Sequence, residues 1–228
     1  MTFKFIELDK TILPKTKGMK VDGHRFYNID GKNYPSVTTV LGIRKKEGLQ
    51  KWRDAIGENV ANWEMGRAAR RGKAFHTLVE QYLKGETPSI RDVLPIGLFK
   101  LMKPYIDQID NIHLLEAIMY SPKLTIAGQV DCVAEYNGKL SVIDFKTANK
   151  ERQESWIENY FLQTTAYAHM FEETFGKPIE QVVILLASED GTVQTFVKNK
   201  ADYEEELGKA IQNFYKYFEE KTKDKVKT

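Results

Sequence analysis

Gly128-Gln129-Val130-Asp131-Cys132-Val133-Ala134-Glu135-Tyr136-Asn137-Gly138-Lys139-Leu140-Ser141-Val142-Ile143-Asp144-Phe145-Lys146 reads as two strands joined by a tight turn. Asn-Gly adopts the left-handed conformations that a two-residue turn between twisted antiparallel strands requires. If Asn137 and Gly138 are the whole loop, Tyr136 pairs with Lys139. Counting outward then sets Asp131 opposite Asp144, with Cβ atoms roughly 5 Å apart. Alternation along the second strand turns Lys146 to the same side as Asp144 and sends Ile143 and Phe145 to the other. Asp131, Asp144 and Lys146 are thereby expected to converge.

Two carboxylates held that close raise a pKa unless a cation sits between them. A divalent ion resolves the repulsion, and oxygen ligands favour a hard ion such as Mg2+ or Mn2+. An ammonium beside it can orient or activate a water, or stabilise charge building on a phosphate. The competing reading is an ordinary ion pair between Lys146 and one acid at a strand end. The hairpin alone does not separate the two.

With 228 residues, 42% of them hydrophobic, the chain is long enough for a sizeable core and reads as one domain over 1–228. A net charge of +2 is too mild to imply a polyanion partner by itself, so any nucleic-acid site must come from local clustering. The basic tail from Lys221 to Lys227 reads as a solvated end. The single cysteine, Cys132, excludes an intramolecular disulfide, fits a reducing compartment and is expected to be buried in its apolar strand. No apolar run approaches the ~20 residues a membrane-spanning helix needs. The first residues resemble neither a secretory signal nor a transit peptide, so a cytoplasm is the expected location.

Residues 1–42 read as short strands and turns, clearest in a hairpin around Asp30-Gly31. Ser36 either caps a short helix or opens an extended segment. From Leu49 to Leu83 the pattern is helical, with a break expected near Gly66. Trp52, Ile56, Val60 and Trp63 share one face, and Phe75, Leu78, Val79 and Tyr82 another. Further helices are expected near 95–109, 156–175 and 203–218. Strands are expected near 114–120, 125–136, 182–187 and 192–197. The coarse result is an α/β fold with a mixed central sheet flanked by helices, an N-terminal β-hairpin and a helical region.

Other residues bear on the hairpin. Arg67, Arg70, Arg71 and Lys73 precede His76 on one helix, where basic groups suit phosphate contacts; a solvated helix face has the same composition. His76 and Glu80, at i and i+4, share a face and can reach a metal or a water. Glu116, an acid among apolar neighbours, reads either as a further carboxylate of the site or as an acid on a solvent-facing position. Gln163 and Tyr167 lie one turn apart on the helix after the hairpin, where an amide and a phenol can support a lysine or a water.

In chain order, His76, Gly128-x-x-Asp131, Asp144-x-Lys146 and Gln163-x-x-x-Tyr167 resemble the PD-(D/E)XK nuclease superfamily. The pattern looks like the RecB-type exonuclease branch, most like the mitochondrial genome maintenance exonuclease group with its phage and bacterial relatives. Asp131-Cys132-Val133-Ala134-Glu135-Tyr136, Val142-Ile143-Asp144-Phe145-Lys146-Thr147 and Pro35-Ser36-Val37-Thr38 carry that likeness. The resemblance covers about residues 35–190. It implies a restriction-endonuclease-like core over 43–228 that cleaves DNA with Mg2+ or Mn2+. It also implies metal ligation by His76, Asp131, Asp144 and the Phe145 carbonyl, with water positioned by Lys146 and support from Gln163 and Tyr167. Glu116 and Glu80 are possible supporting acids, and Glu116 matches an acid often found upstream in the branch. The first acid stands in Gly-x-x-Asp rather than Pro-Asp, which is usual for this branch.

The expected activity is an exonuclease acting on single-stranded DNA with a free end, in a bacterial or phage-infected cytoplasm, with roles in DNA repair or recombination. The rival readings are an endonuclease of the same fold and a noncatalytic nucleic-acid-binding module. Arg67, Arg70, Arg71 and Lys73 are the expected phosphate contacts. Tyr34, Trp52 and Trp63 are alternatives between base stacking and, for the tryptophans above all, core packing. No protein partner is indicated.

Overall fold

The computed structural model describes residues 2–21 and 23–226, with side chains described through Lys221. The basic tail over residues 222–227 thus lies outside the described side chains. Three short antiparallel strands come first: β1 (Gly18–Val21), β2 (His24–Ile29) and β3 (Lys32–Pro35). Asp30 and Gly31 turn β2 into β3 with φ of 50° and 80°, the left-handed pair that a two-residue turn demands. The expected hairpin is present, extended by β1.

Ser36 caps α1 (Val37–Gly42), its side chain accepting from the Thr39 N–H, which settles the choice left open by the sequence. Two helices follow, α2 (Lys46–Ile56) and α3 (Glu58–Leu83). The break falls at Gly57, where φ is 86°, and not at Gly66, which stays inside α3. A glycine within a helix costs only about 1 kcal/mol against alanine, so Gly66 is tolerated, whereas no other residue type adopts the Gly57 conformation cheaply. Arg53 ties the two helices together by donating to Glu58 and Asn62.

The main sheet is β4 (Ile109–Ser121), β5 (Ile126–Tyr136), β6 (Lys139–Ala148), β7 (Gln181–Ser188) and β8 (Val193–Asn199), in that spatial order. All neighbours are antiparallel except β6 and β7, so the sheet is mixed as expected. The parallel pair is joined through α5 (Glu158–Phe175), the crossover that parallel strands require.

Helices cover both faces. Phe75, Val79 and Leu83 of α3, with Leu98, Met102 and Ile106 of α4 (Val93–Ile106), pack on Cys132, Ile143, Phe145 and Leu185. On the other face Leu162, Ala166 and Phe171 of α5, with α1 and α6 (Glu204–Val226), pack on Val130, Val133 and Val142. Ile143 and Phe145 thus point to the α3 side and Asp144 to the α5 side, as the alternation requires. Cys132 is fully buried. Truncating a core aromatic such as Phe75 costs about 3–5 kcal/mol. Among the described residues no helix is long and apolar enough to cross a membrane.

The stripe of Trp52, Val60 and Trp63 does not enter the core, contrary to the packing expected of the tryptophans. These side chains are 37%, 52% and 59% exposed. They lie on α2 and the first half of α3, ahead of the α3 segment that meets the sheet. Tyr34 is the reverse case, buried edge-to-face against Tyr120, and is closed to stacking on a base.

Candidate nuclease site

Asn137 and Gly138 take φ of 52° and 75°, and Tyr136 pairs with Lys139. The β5–β6 ladder runs outward from this turn as far as Cys132 and Ile143, one position short of the two acids. There the Phe145 N–H donates to Asp131 Oδ2 at 3.0 Å, so the first carboxylate is fastened to the backbone of the second strand. Asp131 and Asp144 are both buried, Asp144 almost completely at 1% exposure.

Three elements deliver the remaining groups. α3 brings His76 Nδ1 to 3.5 Å from Asp131 Oδ2 and 3.8 Å from Glu116 Oε1. β4 brings Glu116, which lies across from Asp131 because its neighbours pair Leu115 with Cys132 and Ala117 with Val130. Glu116 adopts φ of 49°, a left-handed backbone inside a strand, which costs a non-glycine residue about 1–3 kcal/mol. Its Oε2 accepts from Gln129 Nε2 at 2.7 Å. One ligand atom each from His76, Glu116 and Asp131 lie within 4.8 Å of one another. Glu116 therefore faces the histidine and not solvent.

From the opposite face α5 supplies Gln163, whose Nε2 donates to Asp144 Oδ1 at 3.0 Å. Lys146 Nζ lies 2.7 Å from Oδ1 and 2.6 Å from Oδ2 of Asp144, and 4.9 Å from the Tyr160 ring centroid. Asp144 Oδ2 nevertheless receives no well-directed hydrogen bond. Tyr167 is buried one turn beyond Gln163, its ring laid against Gly128. Any Cβ at position 128 would meet the phenol oxygen at 2.7 Å, so the glycine of Gly-x-x-Asp is what admits Tyr167.

The electrostatics follow from this crowding. Burial raises the Asp144 carboxyl, Lys146 pulls it down and Asp131 pushes it up, and together they leave it at about 7. Burial lowers the His76 imidazole, but Asp131 and Glu116 outweigh it and raise the group to about 9. Burial likewise opposes the Lys146 charge, and Asp144 and Asp131 more than restore it, so this side chain is an ammonium. Burial and the two aspartates hold the Tyr167 phenol well above its ordinary value, keeping its proton in place as a donor. Three acid side chains beside one imidazole, with a buried Asp144 oxygen that receives no well-directed hydrogen bond, form a donor set chemically suited to a hard divalent ion.

Other expected residues sit elsewhere. Glu80 is held by Lys84 Nζ of its own helix at 2.6 Å and takes no part in the cluster. Arg71 is buried and bonded to Glu189, Asn149 and Thr147, and Arg67 also pairs with Glu189. Arg70 and Lys73 are exposed. Glu189, Tyr160, Lys45 and Arg152 escaped the sequence reading. Glu189 meets its arginines across more than a hundred residues, and no local pattern signals such a contact.

The chain belongs to the PD-(D/E)XK nuclease superfamily, whose family model matches residues 105–225. That match contains Glu116, Asp131, Asp144, Lys146, Gln163 and Tyr167, while His76 precedes it. The five-stranded mixed sheet with helices on both faces is the restriction-endonuclease-like core expected of that superfamily. Among individual proteins, the chain is 30% identical over 174 residues to mitochondrial genome maintenance exonuclease 1 of Homo sapiens, covering 69% of this chain and 50% of that protein. It is 27% identical over 173 residues to the protein of the same name from Mus musculus, covering 69% and 51%. The chain thus spans about half the length of the curated relatives it matches. The solved structure of SSO0001 aligns with a TM-score of 0.41 at 14% identity, covering 80% of this chain and 75% of that one.

Proposed function

We propose that this protein is a metal-dependent DNA exonuclease that hydrolyses phosphodiester bonds from the ends of single-stranded DNA, using Mg2+ or Mn2+. The observation that carries the reading is the convergence of His76, Glu116 and Asp131 within 4.8 Å, with the Asp144–Lys146 pair beside them. Charged and hydrogen-bonding groups from two helices and three strands meet there, which an isolated surface ion pair does not require.

In this reading His76, Asp131, Asp144 and the Phe145 carbonyl hold the ion, and Glu116 adds a carboxylate. When bound, a divalent ion supplies Lewis acidity toward the scissile phosphate and lowers the pKa of water. Lys146, kept charged by its two aspartates, orients the attacking water or meets charge growing on the phosphate. Gln163 fixes the Asp144 carboxylate through Oδ1, and Tyr167 supplies a protonated phenol at the buried side. The whole chain, 1–228, is taken as one nuclease domain. Its single buried cysteine suits a reducing compartment, and the proposed setting is a bacterial or phage-infected cytoplasm with roles in DNA repair or recombination.

Strands labelled at either end, with circular and duplex controls, test the proposal in Mg2+, Mn2+ and EDTA. Linear single strands should be degraded from an end only with metal, and circles should survive. Cleaved circles would replace the exonuclease reading with an endonuclease one, and binding without cleavage would leave a binding module. Asp144→Ala with retained folding should abolish cleavage, and undiminished activity would remove the metal site from the mechanism.

A further inference from the structure

We propose that Lys45, set over the Tyr160 ring, and Arg152, which lines the groove that Tyr160 also lines, bind a phosphate group of the substrate strand. The assignment rests on the nuclease reading for the identity of the strand. Lys45 Nζ and Lys146 Nζ lie 5.4 Å and 4.9 Å from the centroid of the same Tyr160 ring, so one aromatic ring links Lys45 to the site lysine. Arg152 lines the groove that Tyr160 and Thr147 also line, a cavity of about 660 Å³ beside the end of β6. Its backbone is pinned there, because its N–H donates to Gln194 Oε1 and its carbonyl accepts from Gln194 Nε2.

The cations on these elements divide into those with a counter-charge and those without. Arg44 is neutralised by Glu158 and Glu206, Arg67 and Arg71 by Glu189, and Lys198 by Glu154. Among the described residues neither Lys45 nor Arg152 has an acid within ion-pair distance. Partial burial and the charges of Arg152, Arg44 and Lys146 hold the Lys45 ammonium below its ordinary pKa, so like charges face one another there. Lys45 is also the N-cap residue of α2 and caps nothing with its side chain. An anion relieves the repulsion among these cations, and the phosphate of a strand entering the site is the anion at hand.

The test measures binding of fluorescent oligonucleotides in EDTA, where no hydrolysis is needed, by wild type, Lys45→Gln, Arg152→Gln and a Lys139→Gln control at the far turn of the sheet. The probes are a linear single strand with a 5′-phosphate, the same strand with a 5′-hydroxyl, and a circular strand. Each rim variant should bind about tenfold more weakly, and the slope of log K against log salt should shrink by about 0.7 per lost cation, with the control unchanged. Loss on all three probes assigns an internal phosphodiester, and loss confined to the phosphorylated strand assigns a terminal phosphate. Wild-type affinity and slope in both variants on every probe would overturn the proposal. If wild type cleaves nothing in Mg2+ or Mn2+ while the binding losses persist, the nuclease reading fails and the phosphate subsite stands. Denaturant melts verify folding, since both side chains are on the surface.

Discussion

The phenol oxygen of Tyr167 lies 2.7 Å from the position a Cβ on Gly128 would occupy, with Cε1 and Cζ of the ring at 2.8 and 3.1 Å. The phenol is buried, with its ring against β5, so it cannot swing aside as an exposed side chain would. Gly128→Ala should therefore overpack this contact and cost about 1–3 kcal/mol in urea denaturation. Cleavage should fall as well, because the ring is displaced beside Asp131 and Asp144. Tyr167→Leu in the same chain should relieve the stability loss without restoring activity. Additive stability losses in the double mutant would show that the two residues do not compete for space.

Proton release should accompany metal binding. In the proposed site His76 carries a proton up to about pH 9 and Asp144 up to about pH 7, and both would have to shed it to hold an ion. Mn2+ affinity should thus rise with pH from about 6 to 9, with calorimetric heats that depend on the buffer's ionisation enthalpy. The metal-free protein should behave oppositely. The His76 pKa is raised above 6.5, so its stabilisation is complete below pH 6.5 and is lost as pH rises through 9. The Asp144 pKa is raised above 3.8, so the folded state holds the extra proton and stability falls as pH rises from about 4 to 7. Melting in EDTA across that range checks the sign, and His76→Ala should remove the upper part of the decline.

Glu189 is bonded to both Arg67 and Arg71, and Arg71 is only 6% exposed. Glu189→Gln leaves a buried guanidinium short of its counter-charge, a change that costs about 3–5 kcal/mol. Thermal denaturation should show that loss, and Arg71→Met combined with it should recover part of the stability. The same variant decides between two roles for these arginines. If they contact phosphates, freeing them should tighten oligonucleotide binding in EDTA; if they brace α3 against the end of β6, binding should be unchanged or weaker, which is the outcome expected here.

The register of Asp131 and Asp144 was legible because a two-residue turn leaves only one way to count. Face alternation then placed Ile143 and Phe145 on one face and Asp144 with Lys146 on the other, whereas the bond from Gln163 to Asp144 comes from the packing of α5. Other features were not local. Gly57 and Gly66 interrupt the same helical pattern, and only the backbone conformation shows that Gly57 is the break. The stripe of Trp52, Val60 and Trp63 has helical spacing, but spacing identifies an apolar face and not whether anything covers it. Glu189 and the Arg67–Arg71 pair meet through the sheet's long-range topology, so a run of basic residues that suggested phosphate contacts is in part internally neutralised.

Trp52 and Trp63 differ in where they stand, and that difference is testable. Trp52 lines the groove with Tyr160 and Arg152, whereas Trp63 lies outside that lining with Arg67 5.9 Å from its ring. Base stacking on an aromatic side chain contributes about 1–3 kcal/mol and tolerates any sequence. If the groove receives the single strand, Trp52→Ala should weaken oligonucleotide binding by roughly that amount with little loss of stability, since the ring is 37% exposed. Trp63→Ala should have the smaller effect. Intrinsic fluorescence should report the same asymmetry, with quenching by a single strand reduced more by Trp52→Ala than by Trp63→Ala. Equal effects of the two substitutions, or none from Trp52→Ala, would place the path of the strand elsewhere on the surface.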